Sequence, residues 1–248
     1  MSGMEETRVD LWIDFWNRPN AIYVNQRNVD AHFDCIVRDL REFVPPGGGK
    51  IVLDFGCGDA LGASRVADGC ETLYLYDAAP MVRERVRERL AGDQRIKVLD
   101  GNGLRHLPAA SVDLVLVVSV VQYMARDELS DALRLWHRVL KPDGALIIAD
   151  VIDPATPIHV DAKSQLTFAR KNGFLLAALG GLVRMFFSNY RDLRNRAGFA
   201  MYREEEMLGI LRSGGFEGTV LPRNIGPGNH RKAFRAHKPS KQARAAAE

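Results

Sequence analysis

The chain has 248 residues, 46% of them hydrophobic and 26% charged, with a formal net charge of +3 at neutral pH. That length can bury one sizeable core, and so modest a charge does not suggest a nucleic-acid-binding surface. No apolar run has transmembrane length, since WIDFW near the start is interrupted by Asp14, and Cys35, Cys57 and Cys70 lack the paired spacing of a zinc site. A cytoplasmic protein without a metal is expected.

The first segment should form a helix ending before Pro19, a linker around IYVNQ, and a longer helix turning Phe33, Val37 and Leu40 toward a sheet. VLDFGCGDA, residues 52 to 60, reads as a buried strand that ends in Asp54 and runs into Gly56 and Gly58. Those glycines allow a tight turn and let a ligand lie against bare backbone, and a helix starting near Ala60 would aim free N–H groups into the same space. ETLYLYDAAP, residues 71 to 80, is a second strand ending in Asp77 and Ala78. An acid there can accept hydrogen bonds from both ribose hydroxyls, the competing role being a helix N-cap.

RIKVLDGN, residues 95 to 102, is the third strand, followed by the turn-forming pair Asn102 and Gly103. VDLVLVVSVVQYM, residues 112 to 124, is the most apolar of these runs and belongs at the centre of a parallel sheet. The next helix spaces Leu129, Leu133, Trp136 and Leu140 along one face, which makes Trp136 a core residue. In LKPDGALIIADVI, residues 140 to 152, Pro142, Asp143 and Gly144 turn the chain into a fifth buried strand. A segment from about Asp153 to Phe199 interrupts the pattern and is very apolar between Phe174 and Phe187, as a lid, a dimer surface or a membrane contact would be, the first two ranking ahead. A helix with Met207, Leu208 and Leu211 inward and two closing strands complete the chain, with a tail over 238–248.

A dinucleotide fingerprint would have glycine at Leu61, and Asp54 beside a pyrophosphate would be repelled, so both residues weigh against NAD. The glycine loop, the acid after the second strand and the LKPDG turn, in that order over roughly residues 50 to 152, instead resemble the class I S-adenosylmethionine-dependent methyltransferases of small-molecule type. The resemblance implies a Rossmann-like α/β fold with a mostly parallel seven-stranded sheet, helices on both faces and an antiparallel C-terminal hairpin. It further implies a helical cap over 1–45, a catalytic domain over 46–237 with a helical insertion at about 153–199, and S-adenosylmethionine as cofactor. Asp54, Gly56, Cys57 and Gly58 would line its methionine portion, Asp77 and Ala78 its ribose and Asn102 and Gly103 its adenine, while Ser119 to Tyr123 form the crossing to the acceptor, with Ser119 and Gln122 also binding the cofactor and Gln122 and Tyr123 the polar groups most worth testing.

Because the methyl of a sulfonium is already electrophilic, such an enzyme has chiefly to align an acceptor lone pair behind it and exclude water. Tyr23, His159, Tyr190 and His230 are the candidates to orient or deprotonate an acceptor, with Asp161 as a further polar residue and Asn25 as a lid residue beside Tyr23. A small or lipid-like acceptor methylated on O or N ranks ahead of RNA or protein because the variable segments are apolar. In RERVRERLAG, residues 83 to 92, Glu84 and Glu88 alternate with the arginines as on an ion-paired helix face. An NAD-dependent oxidoreductase and a non-catalytic nucleoside-binding regulator stand as the other classes, and a homodimer through residues 174–187 is a further expectation.

Overall fold

The computed structural model describes residues 7–18, 23–186 and 197–239. Two helices precede the sheet. In α1 (Arg8–Asn17) the Thr7 side chain accepts from Asp10 N–H while the Asp10 carboxylate accepts from Thr7 N–H, a capping box that satisfies two otherwise orphaned donors. In α2 (Gln26–Leu40) the cap is Asn25, whose side chain accepts from Asn28 N–H at 2.9 Å. Asn25 therefore starts a helix, the capping role that competes with the lid reading.

The chain then alternates strand and helix: β1 (Lys50–Phe55), α3 (Ala63–Ala67), β2 (Cys70–Tyr76), α4 (Pro80–Leu90), β3 (Ile96–Leu99), α5 (Gly101–Arg105), β4 (Val112–Val118), α6 (Arg126–Val139) and β5 (Leu140–Val151). The helices α7 (Ile158–Lys171), α8 (Leu175–Phe186) and α9 (Glu204–Ser213) follow, then β6 (Glu217–Val220) and β7 (Lys232–His237). These form one seven-stranded sheet in the order β3-β2-β1-β4-β5-β7-β6, parallel from β3 to β5, with β7 antiparallel to both β5 and β6. The strand order reverses between β1 and β4, where a parallel sheet opens a crevice at its carboxyl ends.

Period-two alternation divides the apolar runs between two layers. Val115, Val117, Leu146 and Ile148 meet Leu129, Trp136, Met207 and Leu211 from α6 and α9. Leu114, Leu116, Ile147 and Ala149 point the other way, toward Leu40, Ala63, Val82 and Val86 of α2, α3 and α4. Trp136 is wholly buried, as its helical spacing predicts.

Two local expectations need correction. The helix after the glycine loop begins at Ala63 and not near Ala60, because Ala60 is held at φ +46 and cannot continue a right-handed helix. The residues Pro142, Asp143 and Gly144 lie inside β5 as an irregularity: the register moves from Val112 opposite Leu140 to Leu114 opposite Ala145.

Candidate active site

The loop after β1 is fastened to the end of β2 by backbone. Gly56 and Cys57 N–H donate to Tyr76 O at 2.7 and 3.0 Å, and Gly58 N–H donates to Asp77 Oδ2 at 3.0 Å. The two glycines do different work. A Cβ on Gly56, at φ +81, would stand 2.3 Å from Val120 Cγ2, so this glycine admits the loop that follows β4. A Cβ on Gly58, at φ +53, would meet no protein atom within 4 Å. It would project into open space in the cavity, and its absence leaves bare backbone there.

That cavity, about 530 Å³, lies at the carboxyl ends of β1, β2, β4 and β5. Asp54, Gly56, Cys57, Gly58, Asp77, Ala78, Ser119, Gln122, Tyr123 and Tyr23 all line it. Aromatic residues close one side: Trp12 stacks on Phe199 with ring centroids 5.3 Å apart, and Tyr123 lies 4.7 Å from Trp12 and 6.1 Å from Trp16.

Burial sets the protonation of the acids and bases around it. The Asp54 carboxyl receives no hydrogen bond from the described residues, and desolvation, reinforced by the Asp77 charge, pushes its pKa up to about 7. Asp77 is raised by burial while the N–H groups of Ala79 and Gly58 pull it down. Its Oδ1 accepts from Ala79 N–H at 2.9 Å and its Oδ2 from Gly58. Each oxygen keeps a second lone pair for an outside donor. Burial raises the Cys57 thiol well above its ordinary value, which removes it as a nucleophile. The Tyr23 phenol is likewise raised by burial and so is no ready base, and burial lowers His32 to about 4, leaving it neutral.

Several predicted residues lie elsewhere. Asn102 is exposed in α5, whose N-cap is Asp100 accepting from Gly103 N–H at 2.7 Å, and neither Asn102 nor Gly103 is among the described residues that line the cavity. A turn predicted from Asn-Gly is here a short capped helix. His159 is exposed near the start of α7 and also lines neither cavity. Tyr190 lies outside the described residues. His230, in the loop before β7, is partly buried and lines a smaller adjoining chamber, where its Nε2 meets Asp161 Oδ1.

Sequence reasoning missed Asp150, at the carboxyl end of β5. Its carboxyl accepts from the Ser119 hydroxyl at 2.7 Å, and both residues stand at left-handed φ, +62 and +60. The signal was present: LIIAD ends an apolar run with an acid, as VLD does at Asp54 and LYLYD at Asp77. Arg231 also lines the cavity, the one cation among its described lining residues, against Asp54, Asp59, Asp77, Glu128 and Asp150.

These features suit S-adenosylmethionine: Gly58 leaves a cradle that a side chain would fill, Asp77 retains acceptors for ribose hydroxyls, and Asp54, once deprotonated, is a counter-charge for a cation. Among the described residues no cluster of metal-ligating side chains occurs, and no helix is long and apolar enough to cross a membrane.

Known proteins agree with this assignment. Residues 53–148 match the methyltransferase domain family. An uncharacterised methyltransferase of Oceanobacillus iheyensis is 27% identical over 169 residues, covering 67% of this chain and 74% of its own. One from Geobacillus sp. is 24% identical over 141 residues, covering 56% of this chain, and the chain spans 63% of that relative's length. Among solved structures, mitomycin 7-O-methyltransferase superposes with TM-score 0.58 at 20% identity, over 86% of this chain and 55% of that one. The N-methyltransferase NodS of Bradyrhizobium japonicum, bound to S-adenosylhomocysteine, superposes with TM-score 0.56 at 15% identity, over 94% and 100%. Magnesium protoporphyrin IX methyltransferase of Synechocystis PCC 6803, bound to S-adenosylmethionine, gives TM-score 0.54 at 16% identity, over 93% and 90%. With this domain match, these relatives and the cavity at the switch point of its sheet, residues 53–148 of the chain carry a methyltransferase domain of the class I S-adenosylmethionine-dependent kind.

Proposed function

We propose that this methyltransferase acts on an oxygen or nitrogen of a small acceptor, held beside the cofactor under a cover of helices. The observation that carries this reading is the adjacency of two spaces: seven residues, Ser119, Asp150 and Arg231 among them, line both the cofactor cavity and a second chamber of about 190 Å³. A chamber of that kind suits a small molecule and offers no track for a polymer. The acidic lining opposes a nucleic acid as well, since a phosphate backbone would face Asp54, Asp59, Asp77, Glu128 and Asp150 with Arg231 as its only described partner.

When bound, the cofactor supplies a methyl group on a cationic sulfur, ready for in-line displacement. The chain's own residues bind and orient. Asp77 takes the ribose hydroxyls, the loop around Gly58 receives the cofactor against backbone, and Asp54 faces its positive charge. Trp12, Trp16, Tyr123 and Phe199 exclude water from the side where α1 lies. In this reading α1, α2, α7 and α8 serve as the lid of a catalytic domain beginning near residue 46. Leu176 is 85% exposed and Leu179 44% exposed on α8, which fits contact with a second copy, a reading that sedimentation equilibrium tests.

Calorimetry with S-adenosylmethionine, S-adenosylhomocysteine and NAD tests the cofactor part. Dissociation constants near a micromolar, roughly −8 kcal/mol, are expected for the first two and no binding for NAD. Folded protein that binds neither sulfur compound would overturn the reading.

A further inference from the structure

The smaller chamber lies between α7, α8, the start of α2 and the loop that leads into β7. Ser119, Asp150 and Arg231, together with Tyr23, His32, Ile36 and Gln165, line both spaces, and this shared wall is taken as the doorway at which an acceptor would meet the cofactor. At that doorway the backbone adopts a conformation disfavoured for side-chain-bearing residues twice, at Ser119 and at Asp150. The strained pair is held in place: the Ser119 hydroxyl donates to Asp150 Oδ2 at 2.7 Å, Asp150 N–H donates to Asn224 Oδ1 at 2.8 Å, and Asn224 Nδ2 donates to Gly228 O at 3.0 Å. The carboxyl is thus fixed in direction without being consumed, because each of its oxygens can accept more than one hydrogen bond.

The charges around it decide what the chamber recognises. Arg231 Nη2 donates to Asp161 Oδ1 at 2.8 Å, and its Nε lies 3.2 Å from His230 Nε2. One carboxylate thereby already answers the guanidinium. His32, also in the lining, is neutral. Asp150 and Asp161 share that one guanidinium, so the chamber holds one acid in excess: burial raises the Asp150 carboxyl above its ordinary value, Arg231, Ser119 and Asn224 pull it down, and the like-charged Asp161 adds to the rise. The remaining wall is apolar, with Phe168, Phe174, Ala178 and Ile225. An anionic acceptor would be repelled there and a purely hydrocarbon one would leave the acid desolvated. A cationic head on an apolar body satisfies both parts.

We propose that this chamber receives an amine borne on an apolar body, and that Asp150 binds its nitrogen and takes the proton it must lose. The inference rests on the methyltransferase reading above. The bound ammonium passes one proton to the Asp150 carboxylate, and the lone pair so exposed forms the new N–C bond as the S–C bond breaks. The electron pair of that bond stays on sulfur, the positive charge passes to the methylated nitrogen, and Asp150 later returns its proton to solvent. Phe168, Phe174, Ala178 and Ile225 hold the apolar body of the acceptor.

The test uses the full chain loaded with S-adenosylhomocysteine and titrated with benzylamine, benzyl alcohol and benzoate by NMR, in wild type, Asp150→Asn and Ala178→Trp. The expected result is benzylamine binding weakened about tenfold or more in Asp150→Asn, abolished in Ala178→Trp where the indole fills the chamber, and stronger than that of the alcohol or the acid. S-adenosylhomocysteine affinity should stay unchanged in Ala178→Trp, which also keeps the test informative should Asp150→Asn fail to fold. Absence of benzylamine binding to the wild type, equal binding to Ala178→Trp or a folded Asp150→Asn, or benzoate binding as tightly as benzylamine would overturn the acceptor assignment while leaving the cofactor reading intact. Wild-type protein that does not take up S-adenosylhomocysteine overturns both.

Discussion

On the side of the cleft formed by β1 and β2, the wall is held by main chain close in sequence: Gly56, Cys57 and Gly58 donate to Tyr76 and Asp77 within a single strand–loop–strand unit. On the opposite side, the wall joins side chains from distant elements, Asp161 of α7 with His230 and Arg231 of the loop before β7, and Ser119 with Asp150. Backbone walls tolerate many side chains but few departures from glycine. Side-chain walls do the reverse, so they can change their ligand without changing the fold.

The sharpest break in this contrast comes from the two glycines of one loop. Gly56→Ala should destabilise the whole domain by about 2–5 kcal/mol, since left-handed strain adds to a clash with Val120. Gly58→Ala should cost only about 1–2 kcal/mol of stability. Its methyl enters the cavity, so S-adenosylhomocysteine affinity should fall about tenfold or more. Thermal denaturation and calorimetry on both variants separate the two roles, and equal stability losses would show that the loop has no such division.

Next in size is Asp77→Asn. The amide keeps the shape but loses the charge-assisted hydrogen bonds to a ribose, worth about 1.5–3 kcal/mol, so cofactor affinity should drop roughly tenfold to a hundredfold. An unchanged dissociation constant would move the ribose away from β2.

How far each wall is legible in the sequence follows from its construction. Asp54, Gly56, Gly58 and Asp77 announce themselves because backbone turns and strand ends leave short local patterns. The central strands were legible for the same reason, as apolar runs between breakers. Asn102 misled because Asn-Gly favours a turn, yet Asp100 two residues earlier captured Gly103 N–H and made a helix cap. Asp161 and His230 lie 2.8 Å and 3.2 Å from the same guanidinium, at Nη2 and Nε respectively, although α7 separates in sequence from the β7 loop by most of the C-terminal region. No local pattern encodes such a meeting. Asp150 was hidden by its setting, since an acid at the end of LIIAD reads first as the close of a core strand.

A subtler probe of the backbone wall is its proton. Asp54 titrates near 7 in the free protein, and any cation brought beside it lowers that value. S-adenosylmethionine binding should therefore release a proton near neutral pH and strengthen as pH rises through about 7. Titrations in two buffers of different ionisation enthalpy measure the release, which Asp54→Asn should abolish. In the free protein the sign is opposite to that of an ion-paired acid. The folded pKa exceeds the unfolded value of 3.8, so this group favours folding most at low pH and loses that contribution as pH rises from 3.8 toward 7.

The smallest effect tests how the cover is fastened to the cofactor side. Asn17, the last residue of α1, accepts from Met81 N–H in the first turn of α4 at 3.0 Å, just beyond the Asp77 loop. That donor is one of the orphan N–H groups of a helix start, where Ala79 provides no side-chain cap, so Asn17 does for α4 from a distance what an N-cap residue does locally. Asn17→Ala should cost about 0.5–1.5 kcal/mol of stability and, by loosening α1 and with it Trp12 and Trp16, weaken S-adenosylhomocysteine binding severalfold. Hydrogen exchange should then rise at α1 and at the start of α4 while β1 and β4 keep their protection. If α1 exchanges no faster, its place is held by the aromatic contacts of Trp12 with Tyr123 and Phe199, and the cover is anchored over the crossing to the acceptor and not over the ribose.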